Sequence, residues 1–413
     1  MVTFDFTGLL VVGAVAFVAP ILAAAIPHRL IPAVVLEVLL GLAVGPQGLG
    51  WVQPTGAVLL LYLMGFGFLL FLAGQDIEPS HFRDPMLRVT GSAYLVSLAF
   101  AFPVAAGLIA VAPGTDLRLV ALALTSSSLG ILVPVIRDSG DLNTDFGQLT
   151  VLAGTVGEFA SLLLLTVLFS ADAKSTPEQI LYVLIMGVAA AATGFGLYAL
   201  WRSGHMRKIL NSLDDTASQL RVRGAFVVLL IFAGLAHGFG VDSLLGAFIA
   251  GVVLRLADGD DRPNIAIFKA KLDAIGFGFL IPVFFVVTGV QFDVRALFSH
   301  RSALVLVPLL VVSIAVVRGV PALLYRSRLG NRPAVAVAFL QSATLTFPVV
   351  VAEIGLSLNL LSKASAAALI GAALLTVILF PAVALALRPW TDADPKTGAG
   401  AVPVASEPEA TGP

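Results

Sequence analysis

The sequence predicts an all-α integral membrane protein of about thirteen transmembrane helices, N-terminus outside and C-terminus inside, built as inverted repeats around two discontinuous helices. Three observations predict it. The 413 residues are 58% hydrophobic and only 12% charged, with a mean hydropathy of +1.00, whereas soluble domains carry about 25% charged residues. Lys and Arg fall on alternate sides of the apolar segments. Two of those segments are interrupted by hydroxyl-rich, proline-containing stretches.

A span needs roughly 17–25 apolar residues. Polar and Gly/Pro punctuation leaves segments near 7–26, 31–46, 55–75, 89–112, 119–136, 147–170, 179–201, 222–238, 243–256, 272–290, 302–325, 333–357 and 362–388. The second and ninth are short, which predicts tilted, re-entrant or internally packed helices. The first follows Asp5 and lacks a basic leader, so it reads as a span rather than a cleaved signal. With the N-terminus outside, eighteen of the 24 Lys and Arg lie in cytoplasmic segments. Five (Arg118, Lys174, Arg295, Arg301, Lys363) lie outside, and Arg318 falls within a span. That is a strong positive-inside bias, and miscounting one span would scramble it. The polar loop 202–221 reads as a cytoplasmic surface helix joining two halves of one membrane domain, 1–389. Residues 390–413, rich in Pro, Gly, Ala and acids, cannot bury a core and are predicted to be a disordered cytoplasmic tail.

Composition excludes several chemistries. A net charge of −1 gives no hint of nucleic-acid binding, and with no cysteine there is no thiolate site. The five histidines are scattered without metal-ligand spacing. No span holds an Asp pair, so the chain reads as a non-enzyme without a cofactor. An intramembrane enzyme and a non-transporting sensor stay open as alternatives.

Span five contains "LTSSSLGILVPV" (124–135) and span twelve "LQSATLTFPVVV" (340–351). Broken helices at membrane depth need protein or a water-filled cavity to satisfy the freed backbone groups. The two spans are seven apart, so they enter from opposite sides, as inverted repeats with a midplane site do. Between them in sequence, "GTVGEFASLLLL" (154–165) carries Glu158, about 13 residues or some 20 Å from the cytoplasmic end of its span. A charge there costs roughly 2.5–3.5 kcal/mol on insertion scales, so its presence points to function. Arg318 reads as a fixed intramembrane positive charge, and Glu37 as a structural acid partnered by Arg318 or a helix end. Glu353 and His237 read as groups near the outer ends of their spans.

"LEVLLGLAVGPQGLG" (36–50), "LLFLAGQDIEP" (69–79), "SLLGAFIAGVVL" (243–254) and "IPVFFVVTGVQFD" (281–293) occur in suitable order and spacing. On these the chain resembles the monovalent cation:proton antiporter superfamily, in its Kef-like and Nap-like branch, from about residue 8 to 388. The resemblance implies a homodimer in the cell (inner) membrane, with a mobile core built on two crossed, broken helices. It implies exchange of Na⁺ or K⁺ for protons by alternating access, although another solute stays open. Glu158 matches the ion-carrying carboxylate and would bind the monovalent cation or the proton. Thr155, Ser127, Ser128, Gln341 and Thr344 would lie beside it as neutral oxygens, with Arg318 and Glu37 compensating charge. The chain departs from the family in having Gly157-Glu158 where Asp-Asp, Asn-Asp or Gln-Asp is usual. It also has Gln341-Ser342-Ala343-Thr344 where a Gln-Arg-Gly-Glu-like run is common. Members with a single acid are generally associated with electroneutral exchange, which is the expectation here.

Overall fold

The computed structural model describes residues 6–25, 32–75, 86–111, 115–142, 144–169, 219–238, 243–258, 265–299 and 301–387, with isolated positions in span seven. Among them all regular structure is helical. Among the described residues nine helices are long and apolar enough to cross a membrane, and three shorter apolar helices (Ala33–Val44, Leu117–Val133, Gly246–Ala257) accompany them. The predicted span 179–201, the loop 202–221 save its last residues, and the tail 390–413 lie outside the described residues.

In chain order the helices are α1 (Phe6–Ala25), α2 (Ala33–Val44), α3 (Gly56–Gln75), α4 (Met86–Val111), α5 (Leu117–Thr125), α6 (Leu129–Asp138) and α7 (Asp145–Leu168). They continue with α8 (Leu220–Gly238), α9 (Ser243–Asp258), α10 (Ile265–Ile275), α11 (Ile281–Gln291), α12 (Val294–Ser299) and α13 (Arg301–Ala322). The last four are α14 (Arg326–Leu329), α15 (Asn331–Ser342), α16 (Thr346–Ser357) and α17 (Lys363–Leu387). Spans five and twelve are both interrupted. Ser126–Ser128 separate α5 from α6, and Ala343–Leu345 separate α15 from α16.

Local sequence sets the other irregularities. Pro282 has no N–H to donate, and the chain passes through a π turn, Gly276–Leu280, just before it. The N–H of Ile281 bonds Gly276 O, one residue further back than in an α-helix. Two caps begin the spans nearest the breaks. Asp116 accepts from the N–H groups of Arg118 (2.8 Å) and Leu119 (3.2 Å) ahead of α5. Thr144 accepts from Gly147 N (3.1 Å) at the start of α7.

Packing sorts the helices into two groups. α1, α2, α3, α8, α9, α10 and α11 pack on one another, as do α4, α5, α6, α7, α13, α15, α16 and α17. Contact between the groups is thin by comparison. In the first group, helices approach to backbone contact at glycines, as membrane helices commonly do. A Cβ on Gly251 of α9 would strike Phe71 O of α3, and one on Gly74 of α3 would strike Phe248 O. α2 and α11 repeat the arrangement at Gly41 and Gly289. Gly251→Ala should therefore destabilise the protein by about 1–3 kcal/mol, the usual cost of overpacking. Gly13→Ala, with open space at its Cβ, should be neutral. Equal thermal unfolding midpoints for the two variants in detergent would show that the close approach is not limiting.

Candidate functional site

The two breaks lie against each other, and each supplies groups that the other lacks. Ser128 N–H donates to Ala343 O (3.3 Å). Ser128 Oγ accepts from the N–H groups of Leu345 (3.0 Å) and Thr346 (3.3 Å), capping α16. Ser127 Oγ donates to Gln341 O at the end of α15 (2.6 Å). Ser126 and Thr344 share a hydroxyl–hydroxyl hydrogen bond of 2.9 Å. Thr376 of α17 accepts from Thr344 N (3.3 Å) and donates to Thr344 O (3.1 Å).

Glu158 completes the set. Its Oε2 accepts from the N–H of Leu129, the first residue of α6, at 2.8 Å. The carboxylate thus caps a helix N-terminus, where the unpaired N–H groups and the helix dipole favour negative charge. Glu158 is 8% exposed and lines a cavity of about 80 Å³. Leu129, Gly130, Leu345 and Thr346 line it from the second group of helices, and Leu69, Leu72, Phe277 and Phe285 from the first. The cavity lies on the seam between the groups.

Arg318 of α13 is the largest fully buried side chain. Its Nη2 donates to Ser127 Oγ (2.8 Å), Ala153 O (3.2 Å) and Gln341 Oε1 (3.4 Å). Nε reaches the same Ser127 Oγ (3.2 Å), and Nη1 reaches Ser97 Oγ (3.5 Å). The guanidinium carbon lies 5.9 Å from the Tyr94 ring centroid, within cation–π range. Among the described residues, all its hydrogen-bond acceptors are neutral oxygens. Gly157 makes this possible. A Cβ there would lie 2.5 Å from Arg318 Nη2 and 3.0 Å from both its Cζ and Ser127 Oγ. The guanidinium occupies the space that a side chain at position 157 would need.

The sequence-predicted residues divide accordingly. Ser127, Ser128, Gln341, Thr344 and Arg318 meet at the breaks beside Glu158. Gln341 binds Arg318 twice, donating from Nε2 to the main-chain O (2.7 Å) and accepting at Oε1. Thr155 donates back to Val151 O within α7 (2.8 Å), so its proton is already engaged. Glu37 is buried in α2 in the first group of helices. Of the two partners expected for it, Arg318 or a helix end, Arg318 is not one, since its hydrogen bonds go to Ser127, Ser97, Ala153 and Gln341. Sequence reasoning missed Tyr94, Ser97, Ser161 and Thr376 as site residues. Ser161 shares hydrogen bonds of 3.0 Å with both Tyr94 and Thr125, tying α4, α5 and α7 together. Thr376 is a lone polar group in an apolar run, Tyr94 and Ser97 are one turn apart in α4, and Ser161 is one turn from Glu158; those spacings are the available signal.

Fold and site together define a polytopic membrane protein with an ionisable side chain held at paired helix breaks. The chain matches the transmembrane sodium/hydrogen exchanger family over residues 13–385 and belongs to that family. It is 31% identical over 397 residues to the putative Na⁺/H⁺ antiporter YjbQ of Bacillus subtilis, covering 90% of this chain and 61% of that protein. It is 26% identical over 290 residues to a Na⁺/H⁺ antiporter of Enterococcus hirae, covering 68% of this chain and 72% of the other. The chain thus spans about three-fifths of the Bacillus protein's length. In structure it resembles the sodium proton antiporter MjNhaP1 of Methanocaldococcus jannaschii. The TM-score is 0.59 at 16% identity, over 92% of this chain and 97% of the other.

Competition for the space at position 157 is directly testable. Gly157→Ala should cost about 1–3 kcal/mol of stability by displacing the guanidinium. In an Arg318→Met background most of that cost should vanish, a coupling within the roughly 0.5–3 kcal/mol seen for residues in contact. Strictly additive losses in the double-mutant cycle would rule the competition out.

Proposed function

We propose that this chain exchanges a monovalent cation, Na⁺ or K⁺, for protons by alternating access, with Glu158 as the carrier. The observation that carries the reading is the placement of Glu158, a buried carboxylate at a helix N-terminus and on a cavity between two helix groups. Burial penalises the ionised form, so a proton and a cation are alternative ways of neutralising it. The backbone and hydroxyl oxygens at the breaks suit a hard cation. On this reading the interrupted helices cross as the centre of inverted repeats, in a thirteen-span protein with its N-terminus outside. It works as a homodimer in the cell membrane. The cavity at Glu158 is then the inward half of the pathway.

Alternating access suits the two groups of helices. The group bearing Glu158 moves against the other across a thin interface, carrying the breaks as a unit. Exchange at one carboxylate is electroneutral, since Glu158 holds either one proton or one monovalent cation. Arg318 stays protonated throughout, and Gly157 supplies no second acid. A neutral cycle does no work against the membrane potential, which otherwise amounts to about 2.3 kcal/mol per charge per 100 mV.

Two outcomes are expected in proteoliposomes. Glu158→Gln, which keeps the size of the side chain and an oxygen for Leu129 N–H, should fold normally and lose cation-driven proton flux. Persistent flux in the folded variant would remove Glu158 from the carrier role. In wild-type protein an imposed potential at fixed ion gradients should leave net flux unchanged. Flux that follows the potential would show that a second group, such as Glu37, titrates in the cycle.

A further inference from the structure

A second cavity, of about 130 Å³, is lined by Thr288, Gln291 and Asp293 at the end of α11 and by Glu353 of α16 and Lys363 of α17. It lies on the same seam as the first, because α11 belongs to one group of helices and α16 and α17 to the other. Thr346, at the start of α16, lines the first cavity. Glu353 is seven residues on, about 10 Å at 1.5 Å per residue. Aromatic rings lie in the intervening stretch. Phe285 lines the first cavity, its ring centroid 4.8 Å from that of Phe284. Phe284 stacks on Tyr62 with centroids 5.3 Å apart. The buried Tyr62 hydroxyl has Glu353, Thr288 and Gln291 as polar neighbours, none of them in full hydrogen-bond geometry.

The Tyr62 hydroxyl, a buried group that normally requires a partner, therefore sits beside three residues that line the second cavity, Glu353 among them. The volume of that cavity far exceeds the roughly 10–15 Å³ that one water needs. The charged groups facing it are Glu353, Asp293 and Lys363. Asp293, outside the spans, accepts from Ala296 N–H and Gln47 Nε2, each at 2.8 Å. These bonds, led by that from Ala296 and opposed by burial, hold its carboxyl below the usual range, with Lys363 adding to the effect. Asp293 and Lys363 offset each other, so an ionised Glu353 leaves the cavity with one negative charge in excess.

We infer that this cavity is a second binding site for a partly hydrated monovalent cation. Glu353 supplies the charge, and Tyr62, Thr288 and Gln291 supply neutral oxygens. It is a loading station on the far side of the aromatic barrier from Glu158. The inference rests on the exchange reading for its role in transport, but binding can be measured independently.

The chain has no native cysteine, so Leu356→Cys places a single thiol on the cavity wall. Modification by a membrane-impermeant maleimide should slow as Na⁺ or K⁺ replaces choline. Glu353→Gln should raise the half-protecting concentration about tenfold, Glu353→Asp should largely restore it, and Glu158→Gln should leave it unchanged. Tyr62→Phe should weaken protection about threefold, and it decides the matter if Glu353→Gln fails to fold. Absence of protection by either cation, or protection indifferent to Glu353 and Tyr62, would overturn the site. So would protection abolished by Glu158→Gln, which would mark it as a distant conformational effect. Protection without cation-driven proton flux in wild-type vesicles would keep this site and sink the exchange reading instead.

Discussion

The structure around Glu158 is governed by one constraint. Backbone N–H and C=O groups released at a helix break inside hydrocarbon must find partners within the protein. Interrupting one span would orphan groups at two helix ends. Interrupting two spans at the same place lets each end answer the other. Ser128 caps α16 and Ser127 caps the end of α15, while Ser126 and Thr344 bond across the gap. The remaining demand at the start of α6 is met by Glu158. The carboxylate proposed as the carrier is therefore also a structural element of the break.

The same constraint explains the company Arg318 keeps. A buried guanidinium is costly unless its donors are used. Here they bind hydroxyl, amide and main-chain oxygens rather than a carboxylate. The arrangement needs space, and position 157 supplies it by having no side chain. The glycine at 157 and the buried arginine at 318 are thus two parts of one spatial solution. An acid at 157 would compete with the guanidinium for volume before it could attract it by charge.

Much of this was legible in the sequence because the bilayer makes polar residues informative. Glu158, Arg318 and the two hydroxyl-rich interruptions stood out as expensive residues in apolar runs, and the structure brings them together. What was not legible followed from three-dimensional packing. Of the two partners expected for Glu37, Arg318 lies in the other group of helices, which leaves the helix end. Thr155, a turn from Glu158 in sequence, turns its hydroxyl back on its own helix, as threonines in helices often do. Glu353 was read as interfacial from its distance to the span end. The cavity beside it needs α11, α16 and α17 together, and no local pattern encodes that meeting. The π turn before Pro282 likewise merges two short helical stretches into one span.

The capping role of Glu158 also bears on how the site can change its load without changing its shape. An ionised carboxylate accepts from Leu129 N–H, and a protonated one still has an oxygen free to do so. A cation bound at the other oxygen leaves that bond in place as well. Each loaded state therefore keeps the start of α6 satisfied and the pair of breaks intact.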